Sequence, residues 1–146
     1  MSELASVARL EDERLREQEH GLATLYNDWR VFHTFFPEQA KFYAMQGSYW
    51  YRYPQGENIP DVRLRNNIWI STLIREFSEK RVLVVTHHLN ILATRANLER
   101  LSADEFISLD ENEKPINLGV TTYCGNPNIG RDGRLELASY NQALWK

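Results

Sequence analysis

The order of apolar patterns along the chain predicts a mixed α/β fold, with helices layered around a mostly parallel sheet. The central observation is the run Val82-Leu83-Val84-Val85. It lacks polar alternation, so it is expected as a strand buried on both faces, as in a parallel sheet. Segments of helical period flank it, and two strand-like segments joined by turn residues close the chain.

The elements follow in order. Val7 to Glu17 is dense in charge and reads as a loop or a short solvated element, closed by Gly21. Leu22, Leu25, Trp29, Phe32 and Phe36 recur every three or four positions, which predicts an amphipathic helix ended by Pro37. Pro37 then opens a shorter helix to Met45, with proline at its favoured first position. The aromatic stretch Tyr49-Trp50-Tyr51-Arg52-Tyr53 leads into the turn Pro54-Gln55-Gly56. Asn58 or Asp61 caps a long helix with the buried stripe Val62, Trp69, Ile70, Leu73, Ile74 and Phe77. The strand from Arg81 to Val85 comes next, and then a helix from His88 to about Leu101. Ser102-Ala103-Asp104-Glu105 has the capping-box pattern and starts a further short helix. Val120 to Tyr123 and Leu135 to Tyr140 are expected strands. The turn signals Asn126-Pro127-Asn128 and Arg131-Asp132-Gly133 make them a hairpin.

Composition sets bounds on function. The 146 residues, 42% hydrophobic and 25% charged, suit one domain over residues 1–146. A net charge of -3 argues against a nucleic-acid backbone as partner. Cys124 is the only cysteine, so no internal disulfide forms and a reducing, cytoplasmic setting is expected. Met1 to Glu19 lacks the apolar segment of a signal peptide, and no apolar stretch has the length of a bilayer span, so no membrane partner is expected.

In open α/β sheets, ligands bind beyond the carboxyl ends of the strands, where the next helix aims its free N–H groups. His87 falls at that place and suits an anion, above all a phosphate. His88 sits in the first turn of the helix. Glu17, held near a phosphate, would serve as an acid for a leaving alkoxide. Arg52 would grip a phosphate or carboxylate, and Glu57 heads the long helix. Each has a structural alternative: a hydrogen-bonded histidine, a surface acid, a packed aromatic cluster, a helix cap. The aromatic stretch also admits stacking of single-stranded nucleic acid, against which the acidic balance weighs. His20 and His33 lack zinc-ligand spacing, so no metal is expected; nothing near Cys124 would activate its thiol, which is expected to be buried and inert.

Four segments in order resemble the histidine phosphatase superfamily, the phosphoglycerate mutase-like proteins. Leu15-Arg16-Glu17-Gln18-Glu19-His20-Gly21 is similar to the family's L-R-E-x-x-x-G. Tyr53 to Val62 resembles its P-x-G-E-S-x-x-D-V stretch, Val82 to His88 its strand ending in S-H-G, and Asn117 to Thr121 a later N-x-x-[IV]-T strand. The resemblance implies phosphoryl chemistry through a covalent phosphohistidine, without metal or organic cofactor. By position, Glu17 is the proton donor and His87 the second histidine of the phosphate pocket, with Arg52, His88 and Glu57 as candidate substrate-binding residues. His88 stands where the family has glycine, and Asn58 replaces serine.

The family's nucleophile lies in an R-H-G motif at the end of its first strand, and no R-H-G occurs in this chain. The expectation is therefore a phosphoglycerate mutase-like fold missing its first strand. It would act on a small phosphorylated metabolite by phosphomonoester hydrolysis or phosphoryl transfer, but this chain itself would be inactive. The alternative is a non-catalytic module that binds a phospho-ligand or a protein. The strand ending at His87 would expose an apolar edge. Either an N-terminal segment is missing, which stability favours, or a short relative covers the edge by forming a homodimer.

Overall fold

The computed structural model describes residues 8–131 and 133–144. The first residues of the charged N-terminal stretch and Asp132 of the hairpin turn lie outside them. A 3-10 turn spans Glu13–Leu15 and another spans Gly21–Tyr26. Helices α1 (Trp29–Phe35), α2 (Pro37–Trp50), α3 (Ile59–Glu76), α4 (His88–Glu99) and α5 (Ala103–Asn112) follow, then strands β1 (Val120–Asn126) and β2 (Arg134–Gln142).

The expected mostly parallel sheet is not found. Among the described residues the sheet is a two-stranded antiparallel hairpin, β1 with β2, in which Tyr123 faces Leu137 and Gly125 faces Leu135. The segment Arg81–His87 forms no strand, and among the described residues no backbone hydrogen bond involves residues 81–86. Three of its four apolar side chains are exposed, Val82 at 45%, Leu83 at 84% and Val85 at 87%, and Val84 is half-buried. An apolar run supplies the side chains of a buried strand but not the neighbouring strand whose N–H and C=O groups it needs.

The helix expected from Leu22 to Phe36 is also divided. Asn27 adopts a left-handed conformation (φ 57°), and the Asp28 side chain accepts the Arg30 N–H at 2.7 Å, so α1 starts afresh. Leu25 is consequently exposed, whereas Phe32 is buried. Pro37 opens α2 as expected, and α2 continues past Met45 to Trp50 across a kink at Gly47. Helix α3 carries a full capping box between Asn58 and Asp61, and α5 carries the one between Ser102 and Glu105. Of the α3 stripe, Val62, Trp69 and Ile70 are buried, but Ile74 is 54% exposed.

Two apolar clusters hold the molecule together. Tyr49, Ile59, Leu92, Ala96 and Phe106 join α2, α3, α4 and α5. Ala23, Phe32, Tyr51 and Tyr53 form the second. The alternation of the aromatic stretch explains this: Tyr49, Tyr51 and Tyr53 point inward, while Trp50 and Arg52 face outward. His33 lies against the second cluster, with Tyr43, Trp29, Phe32 and Tyr51 rings 5.2 to 5.9 Å from its own. Its Nε2 is buried without a hydrogen-bond partner, and burial lowers the His33 pKa.

Helices α3 and α4 meet through a polar seam. Asn66, fully buried, donates to Asn90 Oδ1 (2.7 Å) and Thr94 Oγ1 (2.9 Å) and accepts from Asn97 Nδ2 (3.0 Å). Asn90, Thr94 and Asn97 recur at helical spacing, so they share the α3-facing side of α4. Arg95, on another side, makes a bidentate pair with Glu99 and stacks on Tyr140, while Tyr123 donates to Glu99 at 2.6 Å. These contacts fasten the hairpin to α4.

Candidate active site at the start of α4

The site is built from one loop laid across the start of one helix. The loop Arg14–Glu19 runs over the N-terminal end of α4 and is fixed there by side chains that donate to its carbonyls. Thr86 Oγ1 donates to Leu15 O (2.5 Å), and Asn90 Nδ2 to Arg14 O (3.0 Å) and Arg16 O (3.1 Å). From α3, Arg65 reaches Arg14 O (2.7 Å) and Glu17 O (3.0 Å). Left unpaired, these partly buried carbonyls would cost up to about 1–3 kcal/mol each.

The far end of the loop is locked against the Pro54-Gln55-Gly56 turn. Leu22 N donates to Pro54 O (3.0 Å) and Glu57 N to Glu19 O (2.8 Å). Gly21 has φ +52°, and a Cβ there would collide with Pro54 O; a Cβ on Gly56 would lie 2.5 Å from Glu19 O. Only glycine permits this approach of the two backbones.

Glu17 and His87 come together at this place. Helix α4 leaves its first N–H groups without intrahelical partners. The Glu17 carboxylate accepts one of them, Leu89 N–H, at 3.2 and 3.3 Å, as well as Gln18 N–H at 2.9 Å. His87 is the N-cap of α4, with extended backbone and no side-chain capping bond, and its ring is exposed. The Glu17 carboxylate thus sits on the positive end of α4, on an N–H two residues along the chain from the exposed His87 that caps it.

The other sequence-predicted residues sit around this centre. Glu57 receives Arg16 Nη2 (2.9 Å), Arg65 Nε (2.9 Å) and Nη2 (3.1 Å), and Glu19 N (2.9 Å). Burial opposes its ionisation, but hydrogen bonds from Arg65 and Glu19 N–H and the Arg65 and Arg16 charges outweigh it, so its pKa is lowered. It acts as a strut under the loop. Arg52 pairs with Asp61 (2.7 Å) at the head of α3 and donates to Gly56 O (3.5 Å). His88 turns toward α5, where its Nε2 lies 2.7 Å from Asp110 Oδ1.

Asn66, Asn90 and Arg65 were not anticipated. The polar spacing of Asn90, Thr94 and Asn97 was the available signal for Asn90; Arg65 carries none, because its carbonyl partners lie about fifty residues away in the chain. Among the described residues, no group of three or more His, Cys, Asp or Glu is arranged to hold a metal ion, and no helix is long and apolar enough to cross a membrane.

Comparison with known proteins agrees with the four motifs. No curated protein matches significantly. A solved structure, a mycobacterial glucosyl-3-phosphoglycerate phosphatase in complex with inorganic phosphate, is similar in fold, with a TM-score of 0.60 at 21% identity. The match covers 90% of this chain and 64% of that one, so the chain spans less than two thirds of that protein. Residues 2–122 match the model of the histidine phosphatase superfamily (branch 1), which covers most of the sequence. The chain belongs to the histidine phosphatase superfamily.

Proposed function

We propose that the start of α4 binds the phosphoryl group of a small phosphorylated metabolite, within a site for phosphomonoester hydrolysis or phosphoryl transfer. The observation that carries this reading is the Glu17 carboxylate on Leu89 N–H, beside the exposed His87. A phosphoryl oxygen would take the place open to an anion at the helix terminus, with His87 donating to it. Glu17 would carry the proton that the leaving alkoxide needs.

Covalent catalysis also needs a nucleophile. In the family's reaction an imidazole nitrogen attacks phosphorus and displaces the alkoxide, and water then cleaves the phosphohistidine. Neither Glu17 nor His87 fills the nucleophile's part, so this chain alone is expected to bind and not turn over. The exposed Leu83 and Val85 support a strand pairing there, from a preceding segment of the same polypeptide or from a second copy. Arg52 and Glu57 are already engaged by Asp61 and Arg65, which supports roles in shaping the site more than in gripping substrate. Cys124 is a free thiol, exposed on β1 and not buried as expected, which suits a reducing, cytoplasmic compartment.

The second reading is a non-catalytic module that binds a phospho-ligand or a protein through the same crevice. An assay with a generic aryl phosphate tests turnover by this chain, which the first reading expects to be absent without a nucleophile. Turnover that vanishes in His87→Ala rules out pure binding. Thermal protection by phosphate without turnover rules out enzymatic action by this chain.

A further inference from the structure

Helix α4 presents different faces to its neighbours. Asn90, Thr94 and Asn97 meet α3, whereas Leu92 and Ala96 pack with Phe106 of α5. His88 lies one turn before Leu92 and follows the α5 side. There its Nε2 is 2.7 Å from Asp110 Oδ1, and each of these two atoms is buried and lacks any aligned hydrogen bond. Lys114 Nζ lies 3.9 Å from the same oxygen. The loop carrying Glu17 approaches from elsewhere, through Leu89 N–H and Asn90.

The placement has a steric consequence. His88 is the first residue of α4 and directly follows the N-cap, next to the N–H groups that would receive an anion. Rotation about its side-chain bonds sets which neighbour an imidazole there approaches, and the structure has it against Asp110 of α5.

We propose that Asp110 is a positioning residue of the α4 site: it holds the His88 imidazole against α5, keeping the helix terminus open to a phosphoryl group and leaving His87 to meet it. The proposal rests on the phosphoryl reading given above. Asp110 itself touches no ligand. It acts through His88, and a residue with no role in placing the ring would not answer to the tests below.

The test uses inorganic phosphate as the probe and NMR as the readout. In the wild-type protein, phosphate is expected to shift the His87 and Leu89 amide resonances, and the His88 ring to show NOEs to the β protons at position 110. Asp110→Ala should lose those NOEs and weaken phosphate binding by about three-fold or more, the scale of one partly exposed charge contact. The double variant His88→Ala/Asp110→Ala should return phosphate affinity to the wild-type value, because no ring remains to stray. If Asp110→Ala binds phosphate as the wild type does, or if the double variant stays as weak as the single, the positioning role is overturned. If wild-type amides do not respond to phosphate, the phosphoryl reading falls. The NOEs then decide the placement of His88 alone: their loss in Asp110→Ala upholds it, and their persistence overturns it.

Discussion

Glu17 meets the helix whose N-cap is His87: its carboxylate accepts the Leu89 N–H through both oxygens, at 3.2 and 3.3 Å. The two residues are seventy positions apart in sequence, and the loop that carries Glu17 is held in place by donors from α3 and α4. The predictions follow from how that loop is held.

Asn90 is fully buried and donates to Arg14 O and Arg16 O while accepting from Asn66. Asn90→Ala leaves two loop carbonyls and Asn66 Nδ2 short of partners. A loss of about 2–3 kcal/mol in urea unfolding is expected, together with weaker phosphate protection as the Glu17 loop loosens. A loss below about 0.5 kcal/mol would show that the loop is held by other contacts.

Glu57 and Arg65 are both largely buried, with side chains 13% and 12% exposed. Glu57→Gln leaves the guanidinium without its counter-charge and should cost about 3 kcal/mol in chemical denaturation. Because the folded state lowers the Glu57 pKa, its ionised form is favoured by folding. Its contribution is therefore full above the unfolded carboxyl value of 4.5 and is lost as pH falls through the lower folded value. Acid titration of the unfolding free energy should be less steep in the variant.

His33 has the opposite charge logic and the same direction in pH. Burial lowers its pKa below the ordinary 6.5, so the fold favours the neutral ring. Below pH 6.5 the unfolded chain takes the proton first, and stability falls as pH drops toward the folded value. His33→Phe keeps the ring among Trp29, Phe32, Tyr43 and Tyr51 without a titrating group. It should flatten stability over that window, measured by thermal melts at stepped pH; an unchanged slope would mean that His33 is not the acid-sensitive group.

The exposed Leu83 and Val85 make a prediction about association. The double variant Leu83→Ser/Val85→Thr should change the stability of the isolated chain by no more than about 0.5 kcal/mol, since both side chains are 84% or more exposed. It should, however, reduce self-association in light scattering and binding of a hydrophobic dye. Equal association of the two proteins would show that this edge is not where contact is made.

Local signals were legible in the sequence and pairings were not. The cap at Asn58, the capping box at Ser102–Glu105, the proline start of α2 and the closing hairpin are each set by residues within a few positions. The motif containing Glu17 and the one ending at His87 could be read for the same reason. Val82 to Val85 shows the limit: its composition suits a buried strand, but strand formation depends on a neighbour that no local pattern reports. Leu22 to Phe36 failed differently, because helical period ran unbroken through Asn27 and Asp28, where a left-handed residue and a new cap restart the helix. The seam of Asn66 and Asn90 was hidden because each is polar in sequence and buried only through the other.

The central claim is that Glu17 and His87 form part of a phosphoryl site at the start of α4. The most direct measurement is the thermal shift produced by inorganic phosphate in the wild type, in Glu17→Gln and in His87→Ala. The account predicts a concentration-dependent rise in Tm for the wild type that is lost or strongly reduced in His87→Ala. A wild type that phosphate does not stabilise, or a shift that His87→Ala leaves unchanged, would contradict it.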